Sequence, residues 1–305
     1  MATTASLSSN MSGTWSKDYF IAQLQELVSL QHMTVASDVP GKLSLPNLSA
    51  TGNLVAETCT FTPTGTIVGS DVELILKGLQ THKEWCMKDL RSLWDLLDAS
   101  KSFQDGDPAP IFQQALIDLL VKQVKAQIET QIWMGDGTSN EILGFVPAWV
   151  ADNDVTKVTG ATTLTKGNIV AEVEKALTES NQTVLNNGES PVIGMNKGLA
   201  RIFSYSQQDL GYLEKFNADN PIPFTFAGEF NIAICNGMPD NTFGIWRPEN
   251  LFFGTGSTSD YDNIRLVDHR STTNENKVTA NLTFGMGVQY RLGTEITLYN
   301  GSNLS

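Results

Sequence analysis

The sequence has little of what most enzymes and metalloproteins need. Only three histidines occur in 305 residues, His32, His82 and His269, and none belongs to a metal-binding pattern such as HExxH. No GxSxG nucleophile motif is present either. We interpret the histidines as structural or solvated side chains. The chain is therefore predicted not to be an enzyme, with no catalytic residue, no cofactor and no metal site.

Cysteine is also scarce. Cys59, Cys86 and Cys235 are odd in number, and no two have the spacing of a zinc site or a CxxC redox motif. We expect three reduced and mostly buried thiols, as in a cytosolic fold. Residues 1–10 lack the basic and apolar regions of a signal peptide, and no apolar run approaches the roughly 18 residues of a membrane span. These absences predict a protein made and kept in a cytoplasm, without membrane contact.

Positive charge is in short supply. The 20 Lys and Arg residues face 33 Asp and Glu residues, which gives a formal net charge of −13. Nucleic-acid binding requires a basic patch, and an anionic membrane attracts basic segments, so this balance favours neither partner. Such a chain can still surround DNA without gripping it. With 41% apolar residues, it is long enough to bury the core of one large or two modest domains.

The start of the chain predicts an arm. Residues 1–14 are mostly Ser, Thr, Ala, Asn and Gly, and cannot bury much by themselves. An amphipathic helix is expected next, with one apolar side formed by Tyr19, Phe20, Leu24, Leu27 and Val28. The arm is either a frayed terminus or a segment that becomes ordered only against a neighbouring subunit. Core packing explains most of the six tryptophans, whereas Trp15, in the polar arm, is an interface candidate.

Residues 43–77 predict an extended hairpin. We expect one strand over residues 54–62, a turn at Pro63-Thr64-Gly65-Thr66, and a second strand in which alternate residues are apolar, namely Val72, Leu74 and Leu76. A long hairpin with few large apolar residues is not stable alone in water. It needs either its own domain or another chain to lie on.

Two helices are predicted after the hairpin. Residues 82–98 have apolar residues at three- and four-residue steps. Residues 109–134 follow a cap at Asp107, end before Gly135, and carry an apolar residue at every fourth position: Phe112, Leu116, Leu120, Val124, Ile128 and Ile132. At 1.5 Å per residue this second helix is about 36 Å long, a length that indicates a spine.

The remainder predicts a compact α/β domain followed by a long strand. A helix over 165–185, a buried strand over 191–195, Asn196 as the cap of the next helix and short strands within 221–253 make up the domain. From Val278 to Leu292 apolar residues then occupy every second position, which is typical of a strand with one buried face. Ile296 and Leu298 keep the same parity.

The order of these parts resembles the Hong Kong 97-type major capsid proteins of tailed bacteriophages. Three short motifs are similar to those of a subgroup from phages that infect Bacteroidetes: Cys59-Thr-Phe-Thr-Pro-Thr-Gly65, Lys83-Glu-Trp-Cys-Met-Lys-Asp89, and Ile132-Trp-Met-Gly-Asp136 followed by Gly144-Phe145. The resemblance covers residues 15 to 299 and implies an α+β capsid fold. Its parts would be an N-terminal arm (1–37), an extended E-loop hairpin (38–80), a P-domain with the spine helix (81–159, helix 109–134), a compact A-domain (160–260) and the return strands of the P-domain (261–305).

The resemblance also implies a function. The chain would be a major capsid protein that self-assembles, as hexamers and pentamers, into the icosahedral shell around viral double-stranded DNA. Its partners would be other copies of itself, the portal, a separate scaffold protein and optional cement proteins, and the enclosed DNA would not be bound sequence-specifically. The protein would reside in the virion after assembly in the host cytoplasm, and no covalent cross-link is predicted.

Two alternatives to a phage capsid stay open, an encapsulin-like nanocompartment shell and a tail or other virion component. In every case the predicted work of the chain is contact between subunits. The candidate contact residues are the apolar residues of the arm and the hairpin: Trp15, Tyr19, Phe20, Leu54, Val55, Phe61 and Ile67.

Overall fold

The structure, a computed structural model, describes residues 27–52, 56, 64–86, 88–89, 110–138, 141–185, 190–209, 225–226, 230–256, 265–269 and 275–299. Its strands are β1 (Thr34–Ala36), β2 (Lys42–Gly52), β3 (Gly65–Ile75), β4 (Lys77–Cys86), β5 (Thr156–Val158), β6 (Val192–Met195), β7 (Thr225–Phe226), β8 (Phe230–Ile234), β9 (Phe243–Trp246), β10 (Leu251–Thr255), β11 (Arg265–Asp268), β12 (Lys277–Tyr290) and β13 (Thr297–Tyr299). Its α-helices are α1 (Pro110–Met134), α2 (Phe145–Ala151), α3 (Ile169–Glu179), α4 (Gln182–Leu185) and α5 (Lys197–Asp209). Short 3-10 helices cover Val28–His32, Pro248–Asn250 and Gly293–Glu295.

Strand β12 is the centre of the first sheet. It runs antiparallel to β4 over ten residue pairs, and it also pairs antiparallel with β10 and β11. Strand β1 adds to the far side of β10 in parallel. The predicted long strand is confirmed, although it ends at Tyr290, and its apolar residues are buried: Val278, Ala280, Leu282, Phe284 and Met286.

Helix α1 covers one side of this sheet. Its bounds, Pro110–Met134, agree with the helix predicted over 109–134. Leu120, Val124, Ile128 and Ile132 are buried as the four-residue repeat predicts, and they share one core with the apolar residues of β12. The side chains of Phe112 and Leu116 lie outside the described residues. That α1 acts as the spine of a shell subunit stays a prediction.

The second sheet has the strand order β5-β13-β9-β6-β8-β7. All four residues of β6 and all four of β9 are buried, because both faces of the sheet are covered. Val192 and Trp246 face the core that contains α1, whereas Ile193 and Phe243 face a second core that contains α3 and α5. This part of the chain confirms the predicted α/β character.

Local predictions in the α/β part are mostly confirmed. The predicted strand 191–195 is β6, and the amide of Leu199 donates to Asn196 Oδ1 over 2.7 Å, so that Asn196 caps α5 as expected. The predicted helix 165–185 is instead two helices. The break falls at Ser180, whose backbone is extended and whose hydroxyl donates to the carbonyl of Ala176 over 2.6 Å.

The two sheets follow the predicted domain boundaries only in part. Strand β10, inside the predicted A-domain 160–260, pairs with β12 of the first sheet. Strand β13, inside the predicted return strands 261–305, pairs with β9 of the second sheet. At the other end, Leu27 and Leu30 of the predicted arm 1–37 are buried in the core with α1. The five-part division stays a prediction.

The helix predicted over 82–98 is wrong at its start. Residues 82–86 belong to β4, in which half-buried and exposed residues alternate while the strand pairs with β12. The helical spacing of the apolar residues is overridden by this long-range pairing. Lys88 and Asp89 are helical, and the rest of the predicted helix lies outside the described residues.

The predicted hairpin is confirmed, but its strand pairing differs from the prediction. Strand β2 pairs antiparallel with β3 over eleven residue pairs, from Lys42 with Ile75 to Gly52 with Gly65. The strand that pairs with β3 is residues 42–52, and Thr66 of the predicted turn lies in the ladder opposite Thr51. The strand predicted over 54–62 lies outside the described residues, apart from Ala56.

Candidate assembly surfaces

The outer part of the β2–β3 hairpin has no cover from the described part of the chain. The first seven residues of β3, 65–71, are all exposed. Among them, Ile67 is 77% exposed and Val68 is 58% exposed. Neither β2 from residue 43 onward nor β3 up to residue 70 carries a charged side chain. An uncharged two-stranded ribbon of this kind is only marginally stable in water unless its apolar side chains are covered.

The base of the hairpin, in contrast, is firmly attached to the first sheet. Leu45 and Leu74 are buried, and a side chain on Gly254 of β10 would collide with Leu74, since an added Cβ would lie 2.5 Å from Leu74 Cδ2. Gln289 donates to the carbonyl of Glu73 over 3.1 Å, and Arg291 donates to the carbonyl of Pro46 over 2.9 Å. The hairpin is therefore held at one end and open along the other.

A groove of about 310 Å³ lies beside the attached end. Three chain segments line it: the end of β3 with Leu76 and Lys77, the loop between α1 and α2, and residues 287–290 of β12. Two apolar residues on its walls are open to solvent, Ile75 at 64% and Leu143 at 52%. The groove is thus a second surface on which apolar side chains stand in water.

Lys77 fixes one wall of this groove. Its ammonium donates to the carbonyl of Glu141 over 2.6 Å and also to the carbonyl of Thr138. The carboxylate of Asp136 accepts the amide of Thr138 over 2.9 Å, and this hydrogen bond is the main cause of the lowered pKa of Asp136, with the charge of Lys77 as a minor cause. A single lysine therefore joins the end of the hairpin to the α1–α2 loop.

The α1–α2 loop explains one of the sequence motifs. The amide of Gly144 donates to the carbonyl of Gly135 over 2.8 Å, so the two ends of the loop are in contact. A Cβ added to Gly135 would lie 2.1 Å from the carbonyl oxygen of Ile142, and one added to Gly144 would lie 2.6 Å from the amide of Gly135. Only glycine allows this approach. The motif at 132–136 with Gly144-Phe145 is therefore a requirement of packing.

The same motif supplies an aromatic cluster under the groove. Trp133 lies with its ring centre 5.5 Å from that of Phe145, 5.9 Å from that of Trp149 and 5.3 Å from that of Trp246, and all four side chains are fully buried. Tilted and edge-on aromatic pairs at such distances stabilise a core beyond the area they bury. The prediction that most tryptophans are core residues is confirmed for these three.

The structure describes only one of the predicted contact residues, Ile67. Its side chain is exposed, and its role as a contact stays a prediction. Trp15, Tyr19, Phe20, Leu54, Val55 and Phe61 lie outside the described residues, so their role stays a prediction.

Sequence reasoning missed Val68, Ile75 and Leu143. Ile75 gave a usable signal, since it is an apolar residue at a polar position of the alternating strand that contains Leu74 and Leu76. Leu143 gave none, because the groove is assembled from segments more than 50 positions apart in the sequence.

The residues considered for chemistry do not come together. His82 is exposed on β4, His269 shares a hydrogen bond of 2.9 Å with the Thr279 hydroxyl, and burial lowers the pKa of His32 in the first 3-10 helix. Cys235 is buried, whereas Cys86 is exposed, so the expectation of mostly buried thiols holds for one of the two described cysteines.

The described residues form neither a metal-binding group nor a helix that could span a membrane. No group of three or more His, Cys, Asp or Glu side chains in the described ranges is arranged to hold a metal ion. Among the described helices, none combines the length and the apolar character needed to cross a membrane. The exposed hairpin and the groove are therefore the features that call for a functional explanation.

Comparison with known proteins gives a fold. No protein-family model matches the sequence, and no curated protein is significantly similar to it. Among solved structures, the capsid of an empty GTA particle is 13% identical, with 90% of this chain and 89% of that chain covered and a TM-score of 0.57. The procapsid of satellite phage P4, which includes the size determination (Sid) protein, is 14% identical, with 92% and 89% covered and a TM-score of 0.57.

A virus-like particle from Pyrococcus furiosus is also similar, although less so. It is 10% identical, with 92% of this chain and 98% of that chain covered and a TM-score of 0.50. Each of these matches spans most of both chains, so the likeness concerns the fold as a whole. This chain therefore has the Hong Kong 97-like fold of tailed-phage major capsid proteins.

Proposed function

We propose that this chain is the major capsid subunit of a tailed bacteriophage, which self-assembles into a closed icosahedral shell around double-stranded DNA. The observation that supports this function is the β2–β3 hairpin, which is attached at its base and exposed along residues 65–71. A capsid fold with an open apolar hairpin fits a subunit whose structure is completed by its neighbours. The net charge of −13 suits a shell that encloses DNA and does not grip it.

In this proposal the outer hairpin is covered by another copy of the chain. Ile67 and Ile75 are eight positions apart on one strand, which places them about 26 Å apart at 3.3 Å per residue. The outer hairpin of a chain therefore does not reach the groove at its own base. A contact between these two surfaces has to join different subunits.

The groove beside Ile75 and Leu143 is the partner surface that we propose for the outer hairpin of a second copy. The hairpin offers exposed Ile67 and Val68 without charge. The groove offers exposed Ile75 and Leu143, with its lysine held by carbonyls and with Glu73 and Glu141 also on its walls. Since the two patches differ, the contact is head-to-tail. Contacts of this kind form a closed ring when the rotation from one subunit to the next adds up to a full turn. Hexamers and pentamers are such rings.

Other partners follow from the same proposal. Each subunit contact is weak, and the shell is stable because every copy makes many contacts at once. We infer that assembly takes place in the host cytoplasm with a portal and a separate scaffold protein, that cement proteins are optional, and that no enzymatic activity is involved. The predicted arm, with Trp15, Tyr19 and Phe20, would add to the contacts between copies.

A nanocompartment that encloses cargo proteins is the second candidate. The similarity to a virus-like particle from Pyrococcus furiosus favours it, but the TM-score of 0.50 is lower than the 0.57 of the GTA and P4 capsids. Nuclease-protected DNA inside particles isolated from the natural source supports the phage capsid. Protein cargo without DNA supports the nanocompartment.

The experiment that tests the proposed function is electron microscopy of the purified chain, with mass photometry of the same sample. Closed particles of uniform diameter are expected, alone or with scaffold added. Open tubes would instead indicate a tail protein. A small oligomer of fixed size, unchanged at high concentration and with scaffold, would contradict a shell function.

A further inference from the structure

The base of the predicted arm is held in the core by a few buried contacts. Here we call residues 27–36 the arm root. Leu27, Leu30 and Met33 are buried against the core that contains α1, and β1 pairs with β10. The indole of Trp246 donates to the carbonyl of His32 over 3.2 Å. The arm root therefore depends on contacts with residues far along the chain.

A polar cluster lies at the centre of these contacts. The buried hydroxyl of Ser29 donates to Glu129 Oε1, and the indole of Trp133 donates to Ser29 Oγ over 2.8 Å. Glu129 is only 5% exposed, and its other oxygen, Oε2, accepts no hydrogen bond from any described residue. The hydroxyl that contacts this buried carboxyl group thus belongs to the arm root, while the second carboxyl oxygen has no partner among the described residues.

A third segment closes this cluster. Gly237, which follows β8, packs against the backbone of α1, since a Cβ added to Gly237 would lie 1.9 Å from the carbonyl oxygen of Glu129. The contact at Gly237 leaves no room for water between the segments at that point. Cys235, at the start of the same segment, is buried beside Ser29 and Glu129. The side chain of Glu129 is itself only 5% exposed, and its carboxyl contacts Ser29 of the arm root and the amide of Asn236 after β8.

The groups around Glu129 do not neutralise a negative charge. Cys235 is the titratable group that faces it from the segment after β8, and burial raises the pKa of that thiol, so the thiol is neutral. His32 lies on the arm root and burial lowers its pKa, which leaves it neutral at pH 7. Lys125, one turn earlier on α1, is half-buried, and it is not among the causes that act on the pKa of Glu129.

We propose that Glu129 is a proton-dependent clamp on the arm root, which holds residues 27–36 in the core while its carboxyl is neutral and loosens them when it ionises. This inference goes beyond the proposed function and does not depend on it, because every residue in it belongs to a single subunit. An ionised carboxylate in such a place lacks the partners that it would find in water. A neutral carboxyl avoids that cost and keeps its contact with Ser29.

The direction of the pH dependence follows from the pKa of Glu129. Burial raises this pKa above its ordinary value of 4.5, and the Ser29 hydroxyl with the amides of Asn236 and Ser29 opposes the shift only in part. Glu129 has its ordinary pKa when the arm root is released and a raised pKa when the arm root is closed. At a pH between these two values, the closed state holds a proton that the released state does not. Opening therefore becomes about tenfold more favourable for each unit that the pH rises through this window, and it levels off above the pKa of the closed form.

Hydrogen exchange measures this opening directly in the free subunit. The amides of residues 27–36 are followed from pH 4 to pH 9 and corrected for the intrinsic exchange rate, in the wild type, in Glu129→Gln and in Glu174→Gln. The last variant is the matched control, because Glu174 is an exposed residue of α3. The wild type and Glu174→Gln should lose protection as the pH rises through the Glu129 window. Glu129→Gln should lack this loss and keep only the opposite dependence that His32 gives at low pH.

A second variant keeps the proposal testable if glutamine is not tolerated at position 129. Ser29→Ala removes a hydrogen bond that favours the charged carboxyl, so the upper end of the pH window should move to higher pH. Loss of protection at every pH without such a move would show that Ser29 acts only through packing and would overturn the clamp. The same conclusion follows if Glu129→Gln retains the pH profile of the wild type.

Discussion

Two antiparallel ladders of nearly equal length differ in how much of their surface is buried. The β4–β12 ladder has ten residue pairs, and the β2–β3 ladder has eleven. Every second residue of β12 from Val278 to Met286 is buried under the core with α1. In β3, by contrast, the first seven residues are exposed on both faces.

The two ladders differ in whether the rest of the chain packs on their side chains. Both ladders are antiparallel and regular along their whole length. A two-stranded ribbon without a packed face is nevertheless marginally stable in water, because burial of apolar side chains provides most of the stability of a sheet. The β4–β12 ladder obtains that burial within its own chain. The hairpin obtains it at the base only, and we propose that a neighbouring subunit supplies the rest.

The largest effect should come from the core beneath the β4–β12 ladder. Trp133→Ala removes a fully buried ring that contacts Phe145, Trp149 and Trp246, and we expect the free energy of unfolding to fall by about 3–5 kcal/mol. Trp85→Ala, on the half-buried face of β4, is the matched control and should lose clearly less. Urea denaturation of the free subunit measures both. Equal losses would mean that the cluster has no special weight.

A smaller effect is expected where the backbone leaves no room. Gly135→Ala places a Cβ 2.1 Å from the carbonyl oxygen of Ile142, and the resulting shift of the α1–α2 loop should lower the free energy of unfolding by about 2–3 kcal/mol. Gly78→Ala, where an added Cβ meets nothing within 4 Å, should be neutral. Thermal unfolding measures both variants. An equal fall in the melting temperature of the two would contradict the predicted clash at Gly135.

Two lysines at the attached end of the hairpin sharpen the comparison further. Lys77→Met frees the carbonyls of Thr138 and Glu141, and should lower the free energy of unfolding by about 1.5 kcal/mol. Lys42→Met breaks an exposed 2.7 Å ion pair with Glu73 and should lower it by less than about 0.5 kcal/mol, with a smaller effect in high salt. Denaturation at two salt concentrations separates them. If the loss of unfolding free energy in Lys77→Met depended on salt, the ammonium of Lys77 would be in solvent, contrary to the predicted contacts with the two carbonyls.

The substitution with the smallest effect on the stability of the subunit should have the largest effect on assembly. Ile67→Asp alters a side chain that is 77% exposed, so the free energy of unfolding should change by no more than about 0.5 kcal/mol. Charge at the proposed contact should nevertheless prevent particles from forming, whereas Ile67→Leu, which stays apolar, should assemble. Mass photometry of folded variants gives the result. Particles of wild-type size from Ile67→Asp would remove Ile67 from the interface.

Elements that bury one regular face were predictable from the sequence. The period of two in β12 and the four-residue repeat of α1 are direct consequences of covered surfaces, and both elements were found close to the expected bounds. The cap at Asn196 was predictable for a similar reason, since the side chain and the amide that it accepts are three residues apart.

Elements decided by distant partners were not predictable. Residues 82–86 have helical spacing but lie in β4 because β12, nearly 200 positions later, pairs with them. The pairing of residues 42–52 with β3 was not expected, because the register is set by the partner strand and by the attached base, not by local composition. For the same reason the groove was missed, although Ile75, at a polar position of its strand, was a visible sign of it.

The central claim is that a neighbouring subunit covers the outer hairpin. Hydrogen exchange of assembled particles, compared with the free subunit, tests it most directly. We expect the amides of residues 65–71 to exchange at least about tenfold more slowly in the particle, because covering the ribbon suppresses its opening, while residues 278–286 of β12 stay unchanged. Equal exchange of residues 65–71 in both states would contradict the claim.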